Sequence, residues 1–197
     1  MSALLVILAI LVSFALFLIM IYNKLVALLN DAKNSFAQID VQLKRRYDLI
    51  PNLVETVKKY LAHEKETLLS VVNARNHASS VLNRIKESGL DSANLQNLAK
   101  AENEVSAALN GLNIQIEAYP ELKASQNMLG LSEEITSTEN KIGFARQAYN
   151  DAVTEFNTYK QSFPNNILVG FFPKFQKDLG LLDFGEENIQ EASKIEF

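Results

Sequence analysis

The sequence predicts an all-α protein: an N-terminal transmembrane helix that continues into an antiparallel four-helix bundle and ends in a short apolar C-terminal tail. Three observations carry this. Ala3 to Tyr22 is an uncharged run, ALLVILAILVSFALFLIMIY, with only Ser13 polar. Between Phe36 and Leu61, the apolar residues Phe36, Ile39, Leu43, Tyr47, Ile50, Val54, Val57 and Leu61 recur at alternating steps of three and four. On a helix they fall within about 40° of one line. Seven Gly and four Pro in 197 residues, among many Ala, Leu, Glu, Lys, Gln and Asn, favour helix over sheet.

The length leaves room for a membrane segment and one ordinary domain, divided here as residues 1–22, a bundle over 23–163 and a tail over 164–197. No Cys is present, which excludes disulfides, thiolate metal sites and thiol chemistry. A formal charge of −4 gives no reason to expect nucleic acid as a partner.

About 20 residues at 1.5 Å rise cover roughly 30 Å, the thickness of a bilayer's hydrocarbon core. A cleaved signal peptide is the alternative. It would need a basic leading region, a shorter apolar run and a small-x-small site, and all three are missing. Tyr22 suits the membrane interface. Lys24, Lys33 and Lys44–Arg46 follow the run and no Lys or Arg precedes it. The positive-inside rule therefore places a single-pass protein in the inner (cytoplasmic) membrane, N-terminus outside and bundle in the cytoplasm.

From Asn23 the helical period continues without a loop signal. Pro51 removes a backbone donor and pushes on the Tyr47 carbonyl, but the stripe keeps its phase, which favours a kink over a break. No Gly or Pro lies between Leu61 and Ser88, and one helix over 23–87 would be roughly 95 Å long. The later helices are about half that, so antiparallel packing favours a reversal near Tyr60 to Glu64, with one long kinked arm as the alternative. Ser88-Gly89-Leu90-Asp91 is a stop and restart, with Asp91 or Ser92 as N-cap. The third helix runs from about Ser92 to Tyr119, before Pro120. Ser132, followed by Glu133 and Glu134, marks the start of the fourth, which Pro164 ends near Phe163.

The tail from Pro164 is expected to be irregular, yet it holds too many apolar groups to leave in water. It reads as a strap over the open end of the bundle. Lipid headgroups or a second subunit are the alternatives, and Ile167, Leu168, Phe171 and Phe172 are the candidate contacts. With helices running away, back, away and back, the tail starts beside the bilayer.

The segment IDVQLKRRYDLIPNLVETVKKYLAHE (39–64) resembles the LemA family, and EAYPELKASQNML (117–129) and EITSTENKIGFARQAYNDAVTEFN (134–157) match the same pattern. The leading membrane segment and the Phe-rich tail fit it too, so the likeness covers essentially the whole chain. Phe36 stands where the family more often has Trp, a conservative packing change. The resemblance implies a bacterial membrane protein with a helical bundle and no established enzymatic activity. One relative is associated with magnetosome membrane formation, which adds weight to a scaffold or membrane-organising role. The family supplies no catalytic residues to carry over.

The residues themselves point the same way. His63 and His77 are the two histidines; neither follows a Glu by three, as a di-iron carboxylate bundle would require. HExxH, glycine-rich phosphate loops and a serine elbow are absent. No cofactor or metal is expected, and an enzyme is the least favoured reading.

Charges at the edge of the stripe suggest a structural role. Asp40 and Arg46 flank it at roughly ±60°. Glu139 and Arg146 flank the stripe of the fourth helix, at matching heights if the first and fourth helices are antiparallel. Asp40 is then expected to face Arg146, and Arg46 to face Glu139, as register pairs that penalise slippage, because an unpaired buried charge costs several kcal/mol. Arg75 with Glu102 or Glu104 is a second candidate set. Lys44 and Arg45 face outward, and the basic triplet lies some 30 Å beyond the membrane end, too far for headgroup contact.

The function expected is non-enzymatic: a membrane-anchored scaffold or membrane-organising protein, acting through homo-oligomerisation or an unidentified protein partner, with the lipid bilayer as its other partner. The alternative is a signal-coupling module that transmits a state along the first helix.

Overall fold

In the computed structural model, which describes residues 2–61 and 63–184, the chain is all-α, an N-terminal apolar helix leading into a packed multi-helix bundle. Helix α1 runs unbroken over Ser2–Lys58, so the apolar segment and the first bundle helix are one rod. Its first stretch, through Met20, has almost no packing against the rest of the chain; burial begins at Ile21 and recurs at Leu25, Leu28, Leu29, Ala32 and Phe36. Among the described residues this is the one helix long and apolar enough to cross a membrane.

Pro51 lies inside α1, which continues to Lys58 before a turn leads to α2 (Lys65–Ser88). The chain thus both passes through the proline as helix and reverses a few residues later. The α2–α3 junction follows the stop and restart signals. Gly89 at the C-cap has φ of 101°, a left-handed conformation that L side chains resist, and Asp91 caps α3 (Ser92–Glu117) by accepting the Asn94 N–H at 2.9 Å.

The start expected at Ser132 is wrong. A short helix α4 (Pro120–Lys123) is followed at once by α5 (Gln126–Gln161), whose N-cap is Ser125, accepting the Met128 N–H at 3.3 Å. Ser132 lies a turn and a half inside α5. Gly130 is solvent-facing and meets no neighbour, so it costs the helix only about 1 kcal/mol. Burial of Leu122 and Met128 at this corner offsets that.

Helix α1 packs along α5, α2 packs along α3, and α1 also touches α2. Between α1 and α5 the contacts Lys24–Glu155, Phe36–Tyr149 and Arg46–Glu139 show α5 returning along α1. Helices α2 and α3 are 24 and 26 residues long against 36 for α5, so they cover only part of the α1–α5 pair.

Two apolar cores result. The larger lies among α1, α2, α3 and α5; the smaller, nearer the apolar end, joins Ile21, Leu25, Leu28 and Leu29 to Phe156, Val169 and Phe175. The tail is therefore more ordered than expected. It forms helices α6 (Asn165–Val169) and α7 (Pro173–Gln176), then an extended run that buries Leu182 against the larger core. It covers the flank of the α1–α5 pair that α2 and α3 are too short to reach. The part of the expected tail beyond residue 184 lies outside the described residues.

Candidate functional site

Two side-chain assemblies stand out in the fold: a charged centre in the bundle and a C-terminal strap held against α5 beside the end of the apolar run. The charged centre begins with Arg46, 2% exposed, on the flank of the α1 stripe. Its guanidinium meets Glu139 of α5 at 2.6 Å and also the Glu102 carboxylate of α3, itself only 1% exposed. Glu102 additionally accepts the Tyr47 hydroxyl proton. Burial pushes the Tyr47 phenol above its ordinary range. One cation on α1 thus ties together α1, α3 and α5.

Asp40 does not take the place expected of it. Its carboxylate is held by Lys44 of the next turn at 2.8 Å and by Lys86 of α2 at 2.9 Å. The geometry explains why. Asp40 and Arg46 lie on opposite flanks of one stripe, about 120° apart, so a single neighbouring helix cannot meet both. Arg46 faces α3 and α5; Asp40 faces α2. Arg146 stacks its guanidinium 5.1 Å from the Phe184 ring of the tail. Burial pushes the Asp40 carboxyl up, but the hydrogen bonds and charges of Lys86 and Lys44 outweigh it and leave it below the usual range. The same bond to Asp40 raises Lys44.

Arg75 also departs from expectation. Glu102 is engaged by Arg46 and Tyr47, and Glu104 lies 2.8 Å from His77. Arg75 instead donates its Nε–H to the Tyr47 carbonyl at 3.0 Å, with Asp48 at 3.9 Å. That carbonyl is the one whose helical donor would be the N–H of residue 51, which proline lacks. Arg75 therefore fills the gap that Pro51 leaves. Pro51 and Arg75 are both visible in the sequence, but only packing shows that they belong together.

The strap is held by side chains of α5. Asn150 donates Nδ2–H to the Leu182 carbonyl at 3.0 Å and accepts the Leu182 N–H at 2.9 Å. Asn157, two turns on, does the same with Leu179 at 3.1 and 3.4 Å. The Tyr149 hydroxyl donates to the Gly180 carbonyl at 2.9 Å, and Lys160 donates to that of Gln176 at 3.0 Å. Asparagine suits this use because its amide offers both a donor and an acceptor to an extended backbone. At Gly180 the strap crosses the α2–α3 turn and donates its N–H to the Leu90 carbonyl at 3.1 Å. A Cβ there would lie 2.6 Å from Ser92 Cα, so only glycine fits.

Below the strap, α6 and α7 sit beside the end of the apolar run. Tyr22 packs its ring 5.1 Å from Phe172 and 5.5 Å from Phe175. The four tail residues expected to make outside contacts divide here. Leu168 packs on the smaller core, and Phe172, still 36% exposed, lays its ring against Tyr22 and Phe175. Ile167 and Phe171 remain 58% and 75% exposed, joined by Phe163 at 81%.

Among the described residues, no group of three or more His, Asp or Glu could hold a metal. The larger depressions are open furrows between helices; one, of about 680 Å³, is lined by His77, Arg84, Asn94, Lys100 and Glu104.

Comparison with known proteins is consistent with this picture. The LemA family model matches residues 35–197. The chain is 27% identical to Protein LemA of Metamycoplasma hominis over 174 residues, 88% of this chain and 70% of that one. It is 22% identical to Magnetosome protein MamQ of Magnetospirillum gryphiswaldense over 78% of this chain and 62% of the relative. It is 24% identical to Magnetosome protein MamQ 2 of Paramagnetospirillum magneticum over 80% and 63%. The match thus spans less than two thirds of the length of these two magnetosome proteins.

Proposed function

The chain belongs to the LemA family, and from that premise we propose that it is a membrane-anchored scaffold that organises membrane or protein by self-association or partner capture. The observation that carries this is the continuity of α1 over 57 residues, which makes anchor and body one stiff rod. The buried Arg46 of α1 contacts Glu102 of α3 and the half-buried Glu139 of α5, which supports reading its charge as a tie between helices. Two relatives are named as magnetosome proteins, which also supports an organising role. On this reading residues 1–22 are the membrane span, 23–163 an antiparallel four-helix bundle of α1, α2, α3 and α5, and 164–197 the tail. Lys24, Lys33 and Lys44–Arg46 support a cytoplasmic body with the N-terminus outside.

The test is the mass of the detergent-solubilised full chain. A scaffold that self-associates gives a multiple of 22.0 kDa. A strict monomer at all protein concentrations rules out self-association and favours the second reading, a coupling module that transmits a state along α1. That alternative draws on Pro51 and Arg75, a point where α1 leans on a side chain from α2.

A further inference from the structure

We infer that Phe163, Ile167 and Phe171 form a second membrane contact, a foot that lies in the headgroup region of the same bilayer that α1 crosses. This goes beyond the anchor described above and rests on reading Ala3–Tyr22 as the span. Three exposed apolar side chains lie within nine residues, on a segment anchored from its other side: Val169 and Phe175 are buried with Ile21, Leu25 and Leu28. The height of this segment along α1 is set by the packing of Phe172 and Phe175 on Tyr22, the last residue of the uncharged apolar run. The patch therefore continues a surface already bound for lipid.

Two of the nearby lysines are paired with carboxylates within the protein. Lys24 is paired with Glu155, Lys160 with Asp178, and Lys174 lies over the Phe175 ring. What the surface offers is aromatic and aliphatic area. Such a segment enters the boundary of headgroups and acyl chains by about 5–10 Å. Because the strap joins this foot to the α2–α3 turn through Gly180 and Leu90, seating it in the bilayer would also fix the tilt of the bundle.

The chain has no Trp, so a single introduced indole is an unambiguous reporter. Three full-length variants are reconstituted separately in zwitterionic phosphatidylcholine vesicles: F171W in the foot, F14W in the span and L129W at the far corner. Emission is measured with lipids brominated at shallow or deep acyl positions and with aqueous acrylamide. The inference predicts blue-shifted F171W emission, quenched by shallow bromines and shielded from acrylamide, with F14W quenched by deep bromines and L129W by acrylamide alone. Three results overturn it. F171W behaves like L129W; or F171W is shielded from both quenchers, which means protein covers it; or its lipid quenching needs anionic lipid and disappears in high salt. Failure of F14W to be quenched by lipid would instead bring down the span itself, and the foot with it.

Discussion

At Pro51 the helix loses the N–H that would have met the Tyr47 carbonyl, and a guanidinium N–H from Arg75 takes its place. Substituting Arg75→Ala strands a partly buried carbonyl, at an expected cost of about 1–3 kcal/mol. In a Pro51→Ala background the helix supplies its own donor, so R75A is expected to cost distinctly less. Thermal melts of the four detergent-solubilised proteins close this cycle, and equal costs in both backgrounds would separate the two residues. The Arg46 cluster follows different arithmetic. Arg46→Met leaves Glu102 buried without its cation and is expected to cost about 3–5 kcal/mol, whereas R46M combined with E102M is expected to recover most of the loss. Recovery in denaturant melts would show that the pair adds little net stability over an apolar filling; failure to recover would mean that Arg46 matters through packing or Glu139, or that Tyr47 needs Glu102 as its acceptor.

Among the elements, the strap over 177–184 depends on two asparagines seven residues apart and one glycine. Gly180→Ala forces a Cβ into the backbone of Ser92, which cannot yield as a flexible side chain would. Release of the strap is the expected result: faster amide exchange and proteolysis over 177–184 while α2 and α3 keep their protection. Asn150→Leu removes both bonds to Leu182 and is expected to act in the same direction. Of the elements, those with long periodic stripes could be placed from sequence. The strap could not, because its order comes from side chains of α5 that bind its backbone, and backbone recognition leaves no pattern in the recognised segment. The start of α5 was also hidden: Ser125 and Ser132 are equally good caps in isolation, and burial of Met128 decides between them.

On the scale of the whole molecule, the two cores sit one above the other along α1, and Leu179 of the strap touches both. Phe156→Ala empties the smaller core at an expected cost of about 3–5 kcal/mol. If the cores are separable, amide exchange in this variant quickens over 21–32 and 153–176 while α2 and α3 remain slow. Uniform loss of protection would show one cooperative unit.

By itself the sequence determined the helical class, the apolar segment with its length, the stripe that binds α1 into the bundle, the turn at Gly89 and the height of Arg46 opposite Glu139. These are properties of spacing along one helix, or of local backbone chemistry, and spacing survives in a linear string. Tertiary structure alone decided which flank of α1 meets which neighbour. It sent Asp40 to Lys86, brought Glu102 in as a partner of Arg46, gave Pro51 its substitute donor and turned Leu168 inward while Ile167 stayed outside. Each of those depends on the direction in which a neighbouring helix approaches, and that direction is set by the packing of all the helices together.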